Sequence, residues 1–298
     1  MDKLNNSVRQ DIFRGVRCNV PLAMYTRLQL GGSAEFFSEP ESESDLAALL
    51  KQCRINKIPV HILGAGSNLL VLETGVTGLT IRFSNPIFCG ITIEEQRVIA
   101  GAGAKLGQVI TQSVLQGLGG IEDLIGIPGN MGGSLLGNAG TNSGDLGQWV
   151  ESVRVVDING EISVLSKNEI SFGYRSSSLD DVVILSATLR LEKENPVELA
   201  KRMQKLWIVR KTQQPGGELA SVYVFKNPAT GTSASDLIEQ AGLKGTRIGG
   251  AVVSERNANF IMVEPEGTTE DVLRLIRLVQ EQVEIVTEIK LELSLEIW

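Results

Sequence analysis

Six glycines fall within fifteen residues in Gly126-Ile-Pro-Gly-Asn-Met-Gly-Gly-Ser-Leu-Leu-Gly-Asn-Ala-Gly140. Glycine in a regular element costs ~0.5–1 kcal/mol relative to alanine, so this density marks backbone approached closely by something flat or charged. A second cluster, Leu63-Gly-Ala-Gly-Ser-Asn-Leu69, places Gly64 and Gly66 at the end of an apolar run. There a turn gathers consecutive N–H groups toward an oxyanion, with Ser67 and Asn68 adding side-chain donors. For the short cluster alone, an ordinary strand-ending turn is the competing reading. A flavin and its diphosphate account for both clusters at once. A Rossmann reading needs GxGxxG, whereas Gly64-Ala-Gly66 runs on into Ser67, Asn68 and Leu69.

The surrounding chain supplies elements to carry such loops. Ser44-Asp-Leu-Ala-Ala-Leu-Leu50 has helical spacing, and Pro59-Val-His-Ile-Leu63 and Leu79-Thr-Ile-Arg-Phe83 read as strands, which gives a β-α-β beginning. Between about residues 92 and 191, strand candidates at 153–156 and 182–186 mix with a helix at 107–116 that stops at Gly117. Glu192-Lys-Glu-Asn-Pro196 is the linker candidate, with Asn195 as cap, Pro196 in the first turn and Glu198 closing a capping box. Beyond it, Thr268 or Thr269 caps a helix with Val272, Leu275, Ile276, Val279 and Val283 on one face. Leu291, Leu293, Leu295 and Ile297 alternate with polar residues, predicting a terminal strand. The expectation is an α+β chain in two domains, 1–192 (lobes of about 1–85 and 86–192) and 193–298.

Charge and composition exclude several functions. Lys and Arg number 28 against 35 Asp and Glu, a net charge of −7, and no basic block tracks a nucleic-acid backbone. Cys18, Cys53 and Cys89 lack CxxC spacing and read as reduced thiols, and no metal site is expected. His61, the one histidine, sits in a strand-like run and reads as structural. With no apolar leader segment and no 18-residue apolar run, the chain reads as cytoplasmic, without membrane insertion.

The motifs, taken in order, carry a more specific signal. Tyr25-Thr-Arg-Leu-Gln-Leu-Gly-Gly32, Gly64-Ala-Gly-Ser-Asn68, Gly126-Ile-Pro-Gly-Asn-Met-Gly-Gly133, Asn138-Ala-Gly140, Phe172-Gly-Tyr-Arg175, Phe225-Lys-Asn-Pro228, Ala241-Gly-Leu-Lys-Gly245 and Asn259-Phe260 span nearly the whole chain. The series resembles that of the UDP-N-acetylenolpyruvoylglucosamine reductases, in their compact subtype. The resemblance implies a two-part FAD domain of vanillyl-alcohol-oxidase (PCMH) type, then a smaller α+β substrate domain, in a monomer. It also implies a reaction in which NADPH reduces FAD and the flavin passes hydride to C3 of an enolpyruvyl ether on UDP-GlcNAc. A protein acid then protonates C2, giving a peptidoglycan precursor.

Carried over by motif, the cofactor-binding residues are Gly64, Ala65, Gly66, Ser67, Asn68, Leu69, Ile127, Pro128, Gly129, Gly132, Gly133, Ser134, Asn138 and Gly140. Tyr174, Lys226, Asn227 and Asn259 are implied to bind the UDP-sugar, and Arg175 to stabilise the carboxylate and developing enolate. Three positions depart from the pattern. Tyr223 stands where the family has a Ser or Cys proton donor, and Ser294 where it has a glutamate. Asn257 replaces a common histidine. A phenol is a stronger acid than an aliphatic hydroxyl, so Tyr223 is assigned as donor. Ser221, Glu292 and Glu296 each lie about 6.5 Å off in register. Two alternatives accompany this expectation: a catalytically silent flavin- or UDP-sugar-binding regulator, and an FAD oxidoreductase acting on another small substrate.

Overall fold

The computed structural model describes residues 16–215, 220–229 and 231–298. Two compact units emerge, and neither is continuous in sequence. One takes the chain up to Val20 together with Ala34–Gly64 and Thr77–Leu206; the other takes Pro21–Ser33, Ala65–Val76 and Trp207–Trp298.

The first unit holds two large sheets. In the smaller, strands Arg17–Pro21, Ser33–Ser38, Val76–Arg82 and Val60–Leu63 lie in that order, the last two parallel. Helix Glu43–Ile55 supplies the crossover, capped by Ser42, whose hydroxyl accepts from the Asp45 N–H at 3.1 Å. Such a cap is worth ~1 kcal/mol. His61 is half-buried within Val60–Leu63 and pairs in register with Thr80.

The larger sheet is antiparallel, in the order Ile162–Ser166, Val150–Val156, Val183–Arg190, Arg97–Gly101, Ile91–Glu94. Helix Leu106–Leu115 buries Val109, Ile110, Ser113 and Val114, the face its spacing predicts. Gly117, at φ +69°, turns the chain away from it. One continuous apolar core joins both sheets and includes Phe36, Leu50, Leu79, Ile81, Phe88, Ile110, Val153 and Leu185.

The second unit has its own core, built on a sheet in the order Ala220–Tyr223, Phe260–Val263, Ala251–Val253, Arg247–Ile248. Helix Thr269–Thr287 packs Val272, Leu275, Ile276, Val279 and Val283 inward; Thr268 is its cap, in a reciprocal box with Asp271. Leu28 and Leu70, from the two early segments, are buried in the same core, which fixes those segments to the C-terminal part of the chain.

Two expectations change. Residues 291–297 do not form one regular strand. The Ser294 and Leu295 N–H groups both point at the Val224 carbonyl, at 2.8 and 3.1 Å, so the ladder breaks there and only Glu296–Ile297 continues, parallel to Leu69–Leu70. The inward face is therefore Leu291 and Leu295, while Ile297 is 37% exposed. At the linker, Asn195 Oδ1 does accept from the Val197 N–H at 2.9 Å, starting helix Pro196–Gln213. Glu198 Oε1 is taken by Lys201 Nζ at 2.9 Å and does not close the box.

Candidate functional site

The glycines of the two loops divide by what makes them necessary. Gly66 has φ +60°, and a Cβ there would lie 2.2 Å from the Tyr25 carbonyl oxygen, so the chain itself demands glycine. Gly132 is also packed, its Cβ position 3.1 Å from Ala102 Cβ. Gly64 and Gly133 differ. Neither has a positive φ; a Cβ on Gly64 would meet only Asn130 Cβ at 4.0 Å, and one on Gly133 would meet nothing within 4 Å. Gly133 lies inside helix Met131–Leu136, where glycine costs ~1 kcal/mol against alanine. No internal packing repays that cost. The open space at these two glycines, both in the first unit, fits a flat or phosphorylated group lying against bare backbone.

The rest of the second loop is strapped to the preceding strand end. Asn130 Nδ2 donates to the Gly103 carbonyl at 2.6 Å, and the Met131 and Gly132 N–H groups donate to Ala104 and Ala102 at 2.8 and 2.9 Å. The Gly129 carbonyl accepts from Leu106 at 3.0 Å. Ile127 and Gly129 are half-buried, Pro128 is exposed, and Ser134 is buried. Gly140 pairs with Asp145, close enough that a Cβ would sit 2.8 Å from Asp145 Cβ.

Asn138 has a scaffold role here. It is buried at φ +39°, accepts from the Gly147 N–H at 2.9 Å and donates to the Gly173 carbonyl at 2.9 Å. That second bond holds the start of a hairpin in which Phe172 and Gly173 pair with Ser177 and Ser176, leaving Tyr174 and Arg175 as the loop. Arg175 adopts φ +56°. Left-handed backbone costs a residue with a Cβ ~1–2 kcal/mol, and glycine or asparagine is the usual occupant. The loop therefore keeps a guanidinium at a strained position. Its Cζ lies 5.9 Å from the centroid of the Tyr174 ring, which is 57% exposed.

In the second unit, Tyr223 ends strand Ala220–Tyr223 half-buried, edge-on to Phe260 at 5.5 Å. Its hydroxyl approaches Asn227 Oδ1 at 3.4 Å, and that oxygen also accepts from the Ala234 N–H at 3.0 Å. Asn259 is buried and clamps Phe225 from both sides, accepting its N–H and donating to its carbonyl, each at 2.8 Å. Its amide is thus engaged in presenting the half-buried Lys226 and Asn227. The Lys226 N–H donates to the Glu292 carbonyl at 2.9 Å, and Ser294 N–H to the Val224 carbonyl, so Ser294 lies one strand over from Tyr223. Glu292 and Glu296 are exposed, and Glu296 Oε1 accepts from Trp298 Nε1 at 2.8 Å.

The first glycine turn reaches the same strand. Asn68 Nδ2 donates to the Ser294 carbonyl at 2.7 Å, and the Glu296 N–H donates to the Asn68 carbonyl at 3.0 Å. Leu69 is buried beside them; Ala65 and Asn68 are exposed, and Ser67 is half-buried. The structure also singles out Arg27, to which the sequence reading gave no role although its motif was noted. Arg27 Nε donates to the Ser221 carbonyl at 2.8 Å, and its own N–H to Gly66 at 2.9 Å. Among the described residues no group of three or more His, Cys, Asp or Glu is placed to hold a metal, and no helix is long and apolar enough to cross a membrane.

Open glycine backbone on an α+β frame, and residues 34–166 matching the model of the FAD binding domain, define an FAD-dependent oxidoreductase with a vanillyl-alcohol-oxidase-type FAD domain and a smaller α+β domain after it. Residues 214–298 match the C-terminal domain of UDP-N-acetylenolpyruvoylglucosamine reductase. A reductase of that name from Rhodopirellula baltica is 37% identical over 297 residues, covering 100% of this chain and 97% of the relative. One from Moorella thermoacetica is 39% identical over 284 residues, covering 95% and 93%. The crystal structure of the Thermus caldophilus enzyme superposes with a TM-score of 0.81 at 36% identity, over 96% of this chain and 100% of that one. The chain belongs to the UDP-N-acetylenolpyruvoylglucosamine reductase family. This favours the reductase over the silent regulator and over an oxidoreductase on another substrate.

Proposed function

We propose that this chain reduces the enolpyruvyl ether of UDP-N-acetylglucosamine to UDP-N-acetylmuramate, using FAD and NADPH, with Arg175, Tyr223 and Ser294 as its catalytic side chains. The observation that carries the reading is the pair Gly64 and Gly133, glycines with neither a positive φ nor a packed neighbour to require them. Those two, with the backbone of 127–134 in the same unit, would hold the cofactor. Bound FAD supplies the hydride-transfer chemistry.

The chain's own residues supply the rest. Arg175 binds the enolpyruvyl carboxylate bidentately and stabilises the charge that develops toward it, a role suited to a group that stays protonated. The phenol of Tyr223 gives its proton to C2, breaking O–H as C–H forms, and Asn227 Oδ1 steadies the hydroxyl beforehand. Ser294 contributes a hydroxyl able to donate and accept beside that strand. Lys226 serves as a point charge for a phosphate, with Tyr174 and Asn227 in contact with the sugar nucleotide and Asn259 holding their strand in place. Residues 1–192 would bind FAD in two lobes, and 193–298 the substrate. The cytoplasmic address and monomeric state expected from the sequence belong to the same proposal.

Anaerobic titration with NADPH and then with the enolpyruvyl sugar nucleotide tests it. Flavin bleaching followed by recolouring is expected. Bleaching that the sugar nucleotide never reverses would overturn the assigned substrate.

A further inference from the structure

We propose that Arg27 is an oxyanion-binding residue of the second unit, its guanidinium taking a phosphate of the nucleotide ligand that lies over strand Ala220–Tyr223. The inference rests on the proposed function only in supposing that such nucleotides bind.

Of the five N–H donors of an arginine, the one on Nε is fixed to the Ser221 carbonyl at 2.8 Å. This bond spans 194 residues of sequence and sets the plane of the group. The four donors on Nη1 and Nη2 have no partner among the described residues. The backbone around Arg27 is pinned as well: its N–H donates to Gly66, and its neighbours Thr26 and Leu28 are buried. The guanidinium is thus anchored to the strand carrying Tyr223, and the Arg27 backbone to the first glycine turn. Residues 221 and 223 fall on one face of that strand.

No carboxylate among the described residues answers this charge. The other arginines of the ion pairs, Arg17, Arg82, Arg97, Arg154, Arg202 and Arg247 among them, each have a glutamate, and Arg27 has none among the described residues. Arg27 is an exposed residue, and desolvation by the protein atoms around it lowers its pKa. In a chain of net charge −7, an anionic nucleotide needs such a local cation. A planar fork with its inner edge anchored presents its outer edge for bidentate contact with a phosphate.

NADPH and the UDP-sugar are two sources of that phosphate, and separate titrations distinguish them. The probes are NADP+ and UDP, added to FAD-loaded protein and followed by perturbation of the flavin spectrum. Arg27→Ala should weaken binding of at least one probe roughly ten-fold or more while FAD content holds. The probe affected identifies the source. Arg27→Gln keeps an amide donor for the Ser221 carbonyl but no charge, and should show the same loss. Wild-type affinity for both probes in the Gln variant would overturn the proposal and leave Arg27 a clamp on a strand edge. Loss of FAD alone would overturn it too, as would wild-type protein that binds neither probe. Turnover is not required, so the result stands apart from the fate of the reductase reaction.

Discussion

Asn68 and Ser294 are joined by a 2.7 Å hydrogen bond from the Asn68 side-chain amide to the Ser294 carbonyl. The glycine turn and the strand opposite Tyr223 are therefore one mechanical piece within the second unit. Asn68→Ala removes a bond worth ~1 kcal/mol. It should slow flavin reoxidation by the enolpyruvyl sugar nucleotide as well as weaken FAD retention, and stopped-flow rates on FAD-saturated protein separate the two. A change in FAD affinity alone would mean the bond does not position Ser294.

Gly133 and Gly66 should respond in opposite ways to alanine. Gly133→Ala has room and improves helix propensity by up to ~1 kcal/mol, so apoprotein stability should hold or rise while FAD affinity drops. Gly66→Ala forces a methyl to 2.2 Å from the Tyr25 oxygen at a left-handed φ and should cost ~1–3 kcal/mol. Thermal melts with and without added FAD read both outcomes.

Arg175→Gly should separate stability from chemistry at a single position. Relief of the left-handed strain at φ +56° favours the fold by ~1 kcal/mol. Loss of the guanidinium should reduce flavin reoxidation by ~100-fold or more. Melting temperature and single-turnover rate, measured on the same preparation, test the pair.

Asp271 makes part of the stability acid-labile. N–H groups of Thr268 and Gly250, together with the Thr268 side chain, hold its carboxyl below the usual range. A depressed folded-state pKa gives stability that is complete above the unfolded value, about pH 4, and lost as pH falls through the lower folded value. Asp271→Asn should accordingly flatten the fall in unfolding free energy below about pH 4 while lowering stability at neutral pH.

Local chemistry made much of the fold readable in the sequence. The Thr268 cap, the apolar stripe from Val272 to Val283 and the helix ending at Gly117 each depend on neighbours within a few residues. The return of residues 21–33 and 65–76 to the C-terminal core was not readable. It depends on Leu28 and Leu70 meeting Val222 and Leu295, and apolar residues carry no label for a partner so far along the chain. For the same reason Arg27 and Ser221 could not be paired from their motifs. Asn138 and Asn259 show the reverse limit: an amide at a motif position reads alike whether it faces a ligand or, as here, ties down backbone. The terminal alternation from Leu291 to Ile297 misled because two N–H groups share the Val224 carbonyl, a bulge with no composition signal.

As proposed, Tyr223 gives the proton that completes reduction of the enolpyruvyl group. The most direct test is the single-turnover rate at which NADPH-reduced flavin is reoxidised by the enolpyruvyl sugar nucleotide under anaerobic conditions, comparing wild type with Tyr223→Phe. Reoxidation is expected in the wild type and a fall of ~100-fold or more in the variant, with bleaching by NADPH unchanged. Equal reoxidation rates in the two proteins would contradict the proposal.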